Sequence, residues 1–159
     1  MCGRYSLTVT PDELCRLFGI DNKLNLRPRF NVAPTQAAPV VRKTGGEKNM
    51  DMLRWGLIPS WSKDASIASK LINARGETVA EKPSFRSAYE SRRCLVPVDG
   101  FYEWRTEEGK KQPFRIGFGE GKPFAFAGLW ESWTVPEGLD DADDTLETYT
   151  IVTTRANPK

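Results

Sequence analysis

The first five residues, Met-Cys-Gly-Arg-Tyr, hold a pair of groups with a specific reactivity. Methionine aminopeptidases remove an initial Met when the next residue is small, so removal of Met1 would leave Cys2 with a free α-amine and a thiol on adjacent carbons. Such an aminothiol reacts with aldehydes: the amine forms an imine, and the thiol then closes a thiazolidine ring. A reference α-amine pKa of about 7.7–8.0 leaves part of the amine neutral at pH 7. A terminal position alone favours a disordered, unreactive cysteine, so this interpretation depends on further motifs.

Two such motifs carry polar groups suited to this chemistry. Residues 73–78 (Asn-Ala-Arg-Gly-Glu-Thr) place an amide, a guanidinium and a carboxylate close together, although the same types are typical of a helix start. Residues 99–104 (Asp-Gly-Phe-Tyr-Glu-Trp) place a carboxylate among aromatic residues on an expected strand, with Phe101 and Glu103 on one face. A carboxyl group among aromatic side chains can retain a proton and donate it. An exposed glutamate on an edge strand is the equal alternative.

The charge distribution permits an anionic partner. The 159 residues include 23 Lys and Arg and 21 Asp and Glu, for a net charge of +2, but residues 134–147 hold six acidic residues and no basic ones, which leaves +8 on the rest. Such an excess suits nucleic acid, although a solvated surface is the commoner explanation. Trp55 and Trp61 lie between Arg54 and Lys63, and aromatic rings beside cations can stack on unpaired bases. We expect Trp55 in the core and Trp61 at the surface.

Several function classes are excluded by what the sequence lacks. There is no histidine, so neither a His-based metal site nor a His general base is available. The three scattered cysteines form no C-x-x-C pair, which argues against structural zinc and a disulfide framework. We therefore expect no metal and no cofactor. With no apolar run of about 18 residues and no secretory signal, we expect a cytoplasmic protein that stays out of membranes and is nucleoid-associated if bacterial.

The reactive residues need a scaffold, and the pattern predicts one α+β domain over residues 1–159. Thr10, Pro11 and Gly19 mark a short helix, and a second helical region is expected over residues 77–92, interrupted at Pro83 and capped at Ser84. Residues 23–39 are expected to be irregular and 134–147 to form a loop. We expect mainly antiparallel strands curled into a barrel-like core, over residues 40–41, 50–55, 94–98, 101–105, 113–118, 123–130 and 147–154.

Six motifs in a fixed order resemble one known family. They are residues 1–4 (Met-Cys-Gly-Arg), 31–35 (Asn-Val-Ala-Pro-Thr), 55–59 (Trp-Gly-Leu-Ile-Pro), 73–78, 93–97 (Arg-Cys-Leu-Val-Pro) and 100–104 (Gly-Phe-Tyr-Glu-Trp). Together they look like the SRAP (SOS response-associated peptidase) family, over residues 1 to about 157. Each motif alone is weak, whereas the ordered set is very specific.

The resemblance implies a sensor of abasic sites in single-stranded DNA that acts in the DNA damage response. In the family, the N-terminal cysteine captures the ring-opened sugar aldehyde as a thiazolidine DNA–protein crosslink, and the family is also described as a peptidase and an abasic-site lyase. The implied catalytic residues are Cys2 as the nucleophile, Asn73 as the group that orients the amine or the sugar, and Glu103 as the group that moves protons.

The resemblance also implies a DNA path across the protein. Arg4 and Arg75 would contact backbone phosphates, Asn31 and Pro34 would line the strand's path, and Trp61 would support a base next to the lesion. The implied partner is single-stranded DNA with abasic sites, and we expect a monomer.

One departure concerns the C-terminal motif. The family follows its Thr-Thr-x-Ala-Asn segment, here residues 153–157, with a His-x-Arg-Met-Pro motif, whereas this sequence ends at Lys159 before it. We therefore expect the C-terminal part of the family domain to be missing, together with a catalytic histidine and a phosphate-binding arginine, and activity to be impaired. Met1, if retained, would block the α-amine.

Two other function classes stay open on the sequence. An N-terminal-nucleophile amidohydrolase or glutamine amidotransferase also begins Met-Cys-Gly, but it needs a larger sandwich fold, and a glutaminase assay would identify it. A non-catalytic module that binds single-stranded nucleic acid is consistent with the missing histidine motif. Crosslinking to an oligonucleotide with one abasic site separates that module from the covalent sensor.

Overall fold

The computed structural model describes residues 1–139 and 144–158, and over these residues it forms two α-helices and ten β-strands. The helices are α1 (Pro11–Phe18) and α2 (Arg86–Ser91). Short 3₁₀ turns cover Ala65–Lys70 and Gly119–Gly121. The strands in chain order are β1 (Tyr5–Leu7), β2 (Arg29–Val32), β3 (Ala37–Thr44), β4 (Glu47–Trp55), β5 (Asn73–Arg75), β6 (Arg93–Val98), β7 (Gly100–Glu107), β8 (Lys110–Ile116), β9 (Phe124–Thr134) and β10 (Thr145–Thr153).

Five of the strands close into a barrel. The order is β4, β3, β6, β9, β10, and β10 returns to β4, where Tyr149 lies opposite Trp55. Inward-facing side chains fill the interior of a small barrel, and Trp55 and Tyr149 are both fully buried. This confirms the predicted α+β fold with a mainly antiparallel, barrel-like core. The exception is β10, which runs parallel to β4 and β5 because long connections, rather than hairpins, join it to them.

A second sheet, in the order β2, β1, β7, β8, is antiparallel throughout. Tyr5 of β1 lies opposite Val32 of β2 and Phe101 of β7. Tyr5 and Val32 belong to the same buried cluster as Trp55 and Tyr149, so this sheet packs directly on the barrel. The second sheet thereby fixes the N-terminal residues against the rest of the molecule.

A buried carboxylate joins the N-terminal strand to the turn between β6 and β7. Asp99 is fully buried, and it accepts hydrogen bonds from Ser6 Oγ at 2.6 Å, Thr8 Oγ1 at 2.7 Å and Arg115 Nη2 at 3.0 Å. Burial opposes the negative charge, but these donors outweigh burial, and the pKa of Asp99 lies below its ordinary value. Asp99 therefore holds β1 beside the start of β7.

The two helices differ in how well local signals predict them. In α1, Thr10 Oγ1 accepts a hydrogen bond from the Glu13 backbone N at 3.2 Å and Gly19 adopts a left-handed φ of 63°, as predicted. The prediction for residues 77–92 is wrong in extent, because α2 begins only at Arg86 and the preceding residues form turns. Phe85, not Ser84, occupies the N-cap position. Pro83 disfavours a helical residue before it, which separates the turns from the helix.

The remaining segments complete the barrel and its surroundings. Gly45 and Gly46 have φ values of 60° and 86° and form the turn between β3 and β4. Segments 23–39 and 73–78 contain β2 and β5, which the pattern did not predict. Of the predicted loop 134–147, residues 140–143 lie outside the described residues, and its two ends belong to β9 and β10. No helix in the described ranges is long and apolar enough to span a bilayer.

Candidate active site

Cys2 lies just before β1, with 6% of its surface exposed. Its carbonyl oxygen accepts a hydrogen bond from Asn73 Nδ2 at 3.0 Å, and its Sγ donates to the carbonyl oxygen of Arg4 at 3.7 Å. Asn73 begins β5, where parallel pairing places it opposite Ile151 of β10. The edge of the barrel therefore positions the asparagine that holds the N-terminal backbone.

Glu103 joins this cluster from the second sheet. It lies on β7, which pairs with β1, and its Oε1 is 3.6 Å from the α-amino nitrogen of Met1. Burial raises the pKa of the Cys2 thiol to about 11, and the nearby Glu103 charge acts in the same direction. The thiol is therefore protonated at neutral pH, so a reaction at sulfur must move that proton to a base. Cys2, Asn73 and Glu103, which the resemblance implies as catalytic residues, are close together.

The Asn73 amide has spare hydrogen-bonding capacity. Its Nδ2 donates to Cys2, whereas its Oδ1 is buried and has no hydrogen-bond partner in the part of the chain that the structure describes. A buried acceptor without a donor is costly and is normally satisfied by a neighbouring group. An N–H placed beside Oδ1, such as that of an amine, would satisfy it.

Arg4 and Asn31 lie side by side on the second sheet. Arg4 Nη1 donates to Asn31 Oδ1 at 3.2 Å, and Asn31 is exposed on β2. Pro34 follows in a tight turn, in which the Gln36 backbone N donates to the Ala33 carbonyl at 3.2 Å. Thr35 has a φ of 74°, so Pro34 and Thr35 occupy the two central positions of a type II-like turn. The turn gives Pro34 a fixed, half-buried position.

Arg75, the last residue of β5, lies in a polar groove of about 340 Å³. Besides Arg75, the groove is lined by Met1 and by residues from the 76–78 turn and the end of β10: Glu77, Thr78, Thr153, Thr154 and Arg155. Arg75 is opposite Thr153 in the β5–β10 pairing. Guanidinium and hydroxyl groups beside the N-terminus make this groove suitable for an anionic ligand.

The two tryptophans of the 54–63 segment separate as expected. Trp55 is fully buried, and its Nε1 donates to the Ile72 carbonyl at 2.9 Å. Trp61 is 59% exposed, and its Nε1 donates to the Pro83 carbonyl at 3.4 Å. Among the described residues, no hydrogen bond joins Trp61 to Cys2, Asn73 or Glu103. The structure thus places Trp61 on the surface, with its ring nitrogen bonded to the Pro83 carbonyl.

Sequence reasoning missed two features next to Cys2. Tyr5 and Tyr149 share a hydrogen bond of 2.6 Å between their hydroxyl groups, and burial raises the pKa of both. Neither tyrosine belongs to a recognisable motif. Arg155 also lines the groove, but its position depends on the pairing of β10 with β5. Within residues 1–139 and 144–158, no three His, Cys, Asp or Glu side chains are grouped to hold a metal ion.

A closed barrel that presents Cys2, next to the N-terminal residue, beside an amide, a carboxylate and a cationic groove defines a barrel protein with a polar site at its N-terminus. The sequence model of the SOS response associated peptidase (SRAP) family matches residues 1–159, and the chain belongs to this family.

Relatives that are named as abasic site processing proteins agree with this assignment. The chain is 45% identical over 161 residues to the abasic site processing protein YoqW of Bacillus subtilis, covering 99% of this chain and 70% of YoqW. It is 44% identical to YoaM of the same organism, also an abasic site processing protein, covering 99% of this chain and 69% of YoaM. A crystal structure of a protein from Bacteroides thetaiotaomicron superposes with a TM-score of 0.85 at 28% identity, covering 98% of this chain and 69% of that one.

Proposed function

We propose that this protein processes abasic sites in single-stranded DNA by capturing the sugar aldehyde covalently on Cys2 after Met1 has been removed. The observation that carries the proposal is the contact of Asn73 with the Cys2 backbone, together with the Glu103 carboxylate 3.6 Å from the α-amino nitrogen of Met1, the residue before Cys2. The relatives named as abasic site processing proteins support the choice of substrate.

The chemistry assigns each group one task. An abasic sugar opens to an aldehyde, the Cys2 α-amine adds to the aldehyde carbon, and loss of one water gives an imine. The Cys2 sulfur then adds to the imine carbon and its proton passes to the imine nitrogen, which closes the thiazolidine ring. Glu103 is placed to carry protons in these steps, because its carboxylate lies 3.6 Å from the α-amino nitrogen of Met1, one residue before the amine that removal of Met1 would expose. The buried Asn73 Oδ1 would accept a hydrogen bond from the new α-amine and orient it.

DNA would reach Cys2 between two cationic regions. On one side are Arg4 and Asn31 with the rigid Pro34 turn, and on the other is the groove that contains Arg75. Phosphate contacts from arginine fix the register of a strand without reading its sequence. Trp61, which is exposed, would support a base next to the lesion.

The test is intact-mass analysis of Met1-free protein mixed with a single-stranded oligonucleotide that carries one abasic site. We expect an adduct with the summed masses less one water. Cys2→Ala should abolish this adduct, whereas Cys15→Ala and Cys94→Ala should not. Cys94 resembles Cys2 in its burial, which raises the pKa of the Cys94 thiol to about 12, and it is therefore a matched control. An undiminished adduct in Cys2→Ala would overturn the nucleophile assignment.

The same mixture separates the other function classes. Strong binding of the oligonucleotide without any adduct would identify a non-catalytic binding module. Hydrolysis of glutamine would identify an amidohydrolase, but the closed five-stranded barrel differs from the layered sandwich that this class needs. Peptidase and lyase activities, which the family name and the resemblance suggest, would be scored by release of Met1 and by cleavage of the oligonucleotide at the lesion.

A further inference from the structure

The groove beside Met1 holds a second arginine that no motif identifies. Arg75 comes from the end of β5 and Arg155 from the segment that follows β10, and both line the groove with three threonines. Within the described ranges, neither guanidinium takes part in an ion pair or donates a side-chain hydrogen bond. Two arginines and three hydroxyl-bearing residues are donors for phosphate oxygens, and this groove lacks an aromatic or large aliphatic residue other than Met1.

One carboxylate determines how Arg155 is held. Glu77 Oε1 accepts a hydrogen bond from the Arg155 backbone N at 3.0 Å. The preceding residue, Gly76, donates its backbone N to the Thr153 carbonyl at 2.8 Å, so the 76–77 turn continues the β5–β10 pairing beyond the last strand residue. The Glu77 side chain thus supplies the acceptor for the Arg155 backbone N–H just beyond the last paired residues of β5 and β10.

The charges around Glu77 agree with this arrangement. Its pKa lies below the ordinary value, chiefly because its own backbone N–H and that of Arg155 stabilise the carboxylate, with Arg155 and Arg75 adding positive charge. Both guanidinium groups are therefore near Glu77 and near the groove. A negatively charged residue in an anion-binding site would normally weaken the binding of the anion. The hydrogen bond that Glu77 accepts from the Arg155 backbone explains why a carboxylate is present in this groove.

We propose that Arg155, held in place by Glu77, is a second phosphate-binding residue of this groove besides Arg75, and that it contacts the DNA linkage next to the reacting sugar. This inference rests on the proposed function, because the polyanion is taken to be the abasic DNA strand. Arg155 determines where that strand enters the site, and Glu77 is a positioning residue that acts only through Arg155.

The binding test uses the protein as it exists and an oligonucleotide with a tetrahydrofuran abasic analogue, which has no aldehyde and cannot react. Arg155→Ala should weaken binding several-fold and reduce the slope of log affinity against log salt by about 0.7, the value for one phosphate contact with a single strand. Arg155→Lys should keep the slope. Arg16→Ala, on α1, is the matched control and should bind like the parent protein. An unchanged slope in Arg155→Ala would overturn the proposal.

Glu77 variants distinguish positioning from simple charge. Glu77→Gln keeps the Oε1 acceptor for Arg155 N and removes a negative charge, so its affinity should equal or exceed that of the parent. Glu77→Ala removes the same charge and also the acceptor, and its affinity should fall. If both variants bind more tightly to the same extent, Glu77 acts through its charge alone and the positioning role is wrong.

Neutral linkages locate the contact. A methylphosphonate is placed at each linkage beside the lesion in turn, and the effect of Arg155→Ala should disappear only with the neutral linkage that Arg155 contacts. If no linkage within two of the lesion removes the effect, the assignment to the adjacent phosphate is wrong. These readouts are non-covalent, so failure of the aldehyde-bearing oligonucleotide to form an adduct would refute the proposed function while leaving this result intact.

Discussion

Replacement of Asp99 by alanine should destabilise the protein by about 3–5 kcal/mol, the range for removal of one partner from a buried charge network. The buried Ser6 hydroxyl would lose its acceptor, at a cost of about 1–3 kcal/mol, and the Thr8 donors would lose a charge-assisted bond of about 1.5–3 kcal/mol. Arg115 adds little, because its side chain is 42% exposed and can turn to water.

The assay is urea unfolding followed by tryptophan fluorescence, supported by thermal unfolding. For a chain of this length we expect a melting temperature lower by about 10 °C. Asp12→Ala is the matched control, because Asp12 forms a surface ion pair with Lys23 and its removal should leave the midpoint unchanged. A destabilisation below about 1 kcal/mol in Asp99→Ala would show that the network is replaceable by water and would refute the reasoning.

The same variant has a defined pH dependence. Since the folded-state pKa of Asp99 is depressed, its contribution is fully present above the unfolded value of about 3.9 and is lost as pH falls through the folded value. The difference in stability between the parent protein and Asp99→Ala should therefore be constant from pH 5 to pH 7 and shrink below about pH 4. A difference that stays constant down to pH 2 would mean that folding does not lower the pKa of Asp99.

Three further predictions concern the site and its supports. Glu103→Gln should slow adduct formation by about 10²–10⁴-fold in a mass-spectrometric time course, with Glu107→Gln on the same strand as the unaffected control; equal rates would remove Glu103 from the proton chemistry. Arg4→Ala and Arg75→Ala should each reduce the salt slope of single-strand binding by about 0.7, and equal affinity for intact duplex would contradict the proposed DNA path. Thr35→Asn should stabilise the fold by about 1 kcal/mol in urea, because asparagine tolerates the left-handed φ of 74° better than a β-branched residue; a loss of stability would mean that the threonine side chain is needed there.

Sequence signals predicted the elements whose caps or turns lie within the same short segment of the chain. Helix α1 carries its cap at Thr10 and its terminator at Gly19, and the β3–β4 hairpin carries its own glycine turn. Strands β1, β2 and β5 have only three or four residues each, and they depend on pairing with distant segments: β1 with β7, β2 with β1, and β5 with β10. No window of the sequence around them contains that information, so they were missed.

The candidate site also contains residues that sequence motifs predicted and contacts that depend on strand pairing. Cys2, Asn73 and Glu103 could be nominated from motifs, and the structure brings them together through β1, β5 and β7. Residues 73–78 had a second interpretation as a helix start, which the parallel pairing of β5 with β10 replaces. The contact of Glu77 with Arg155 joins the residues that follow the two paired strands at the same end, and neither residue type predicts it alone.

Closure of the barrel by β10 also sets an order of events in folding. The β3–β4 and β7–β8 hairpins connect neighbouring residues and can form within microseconds, whereas β10 must find β4 and β5 across much of the chain. Contacts between distant residues lose loop-closure entropy before their pairing contributes favourable free energy, and this slows folding. During synthesis, the edges of β4 and β9 that face β10 stay unpaired until β10 leaves the ribosome. Unpaired strand edges are sites at which chains aggregate. The strand that positions Asn73 beside Cys2 is therefore also the one whose arrival ends the period of greatest risk for aggregation.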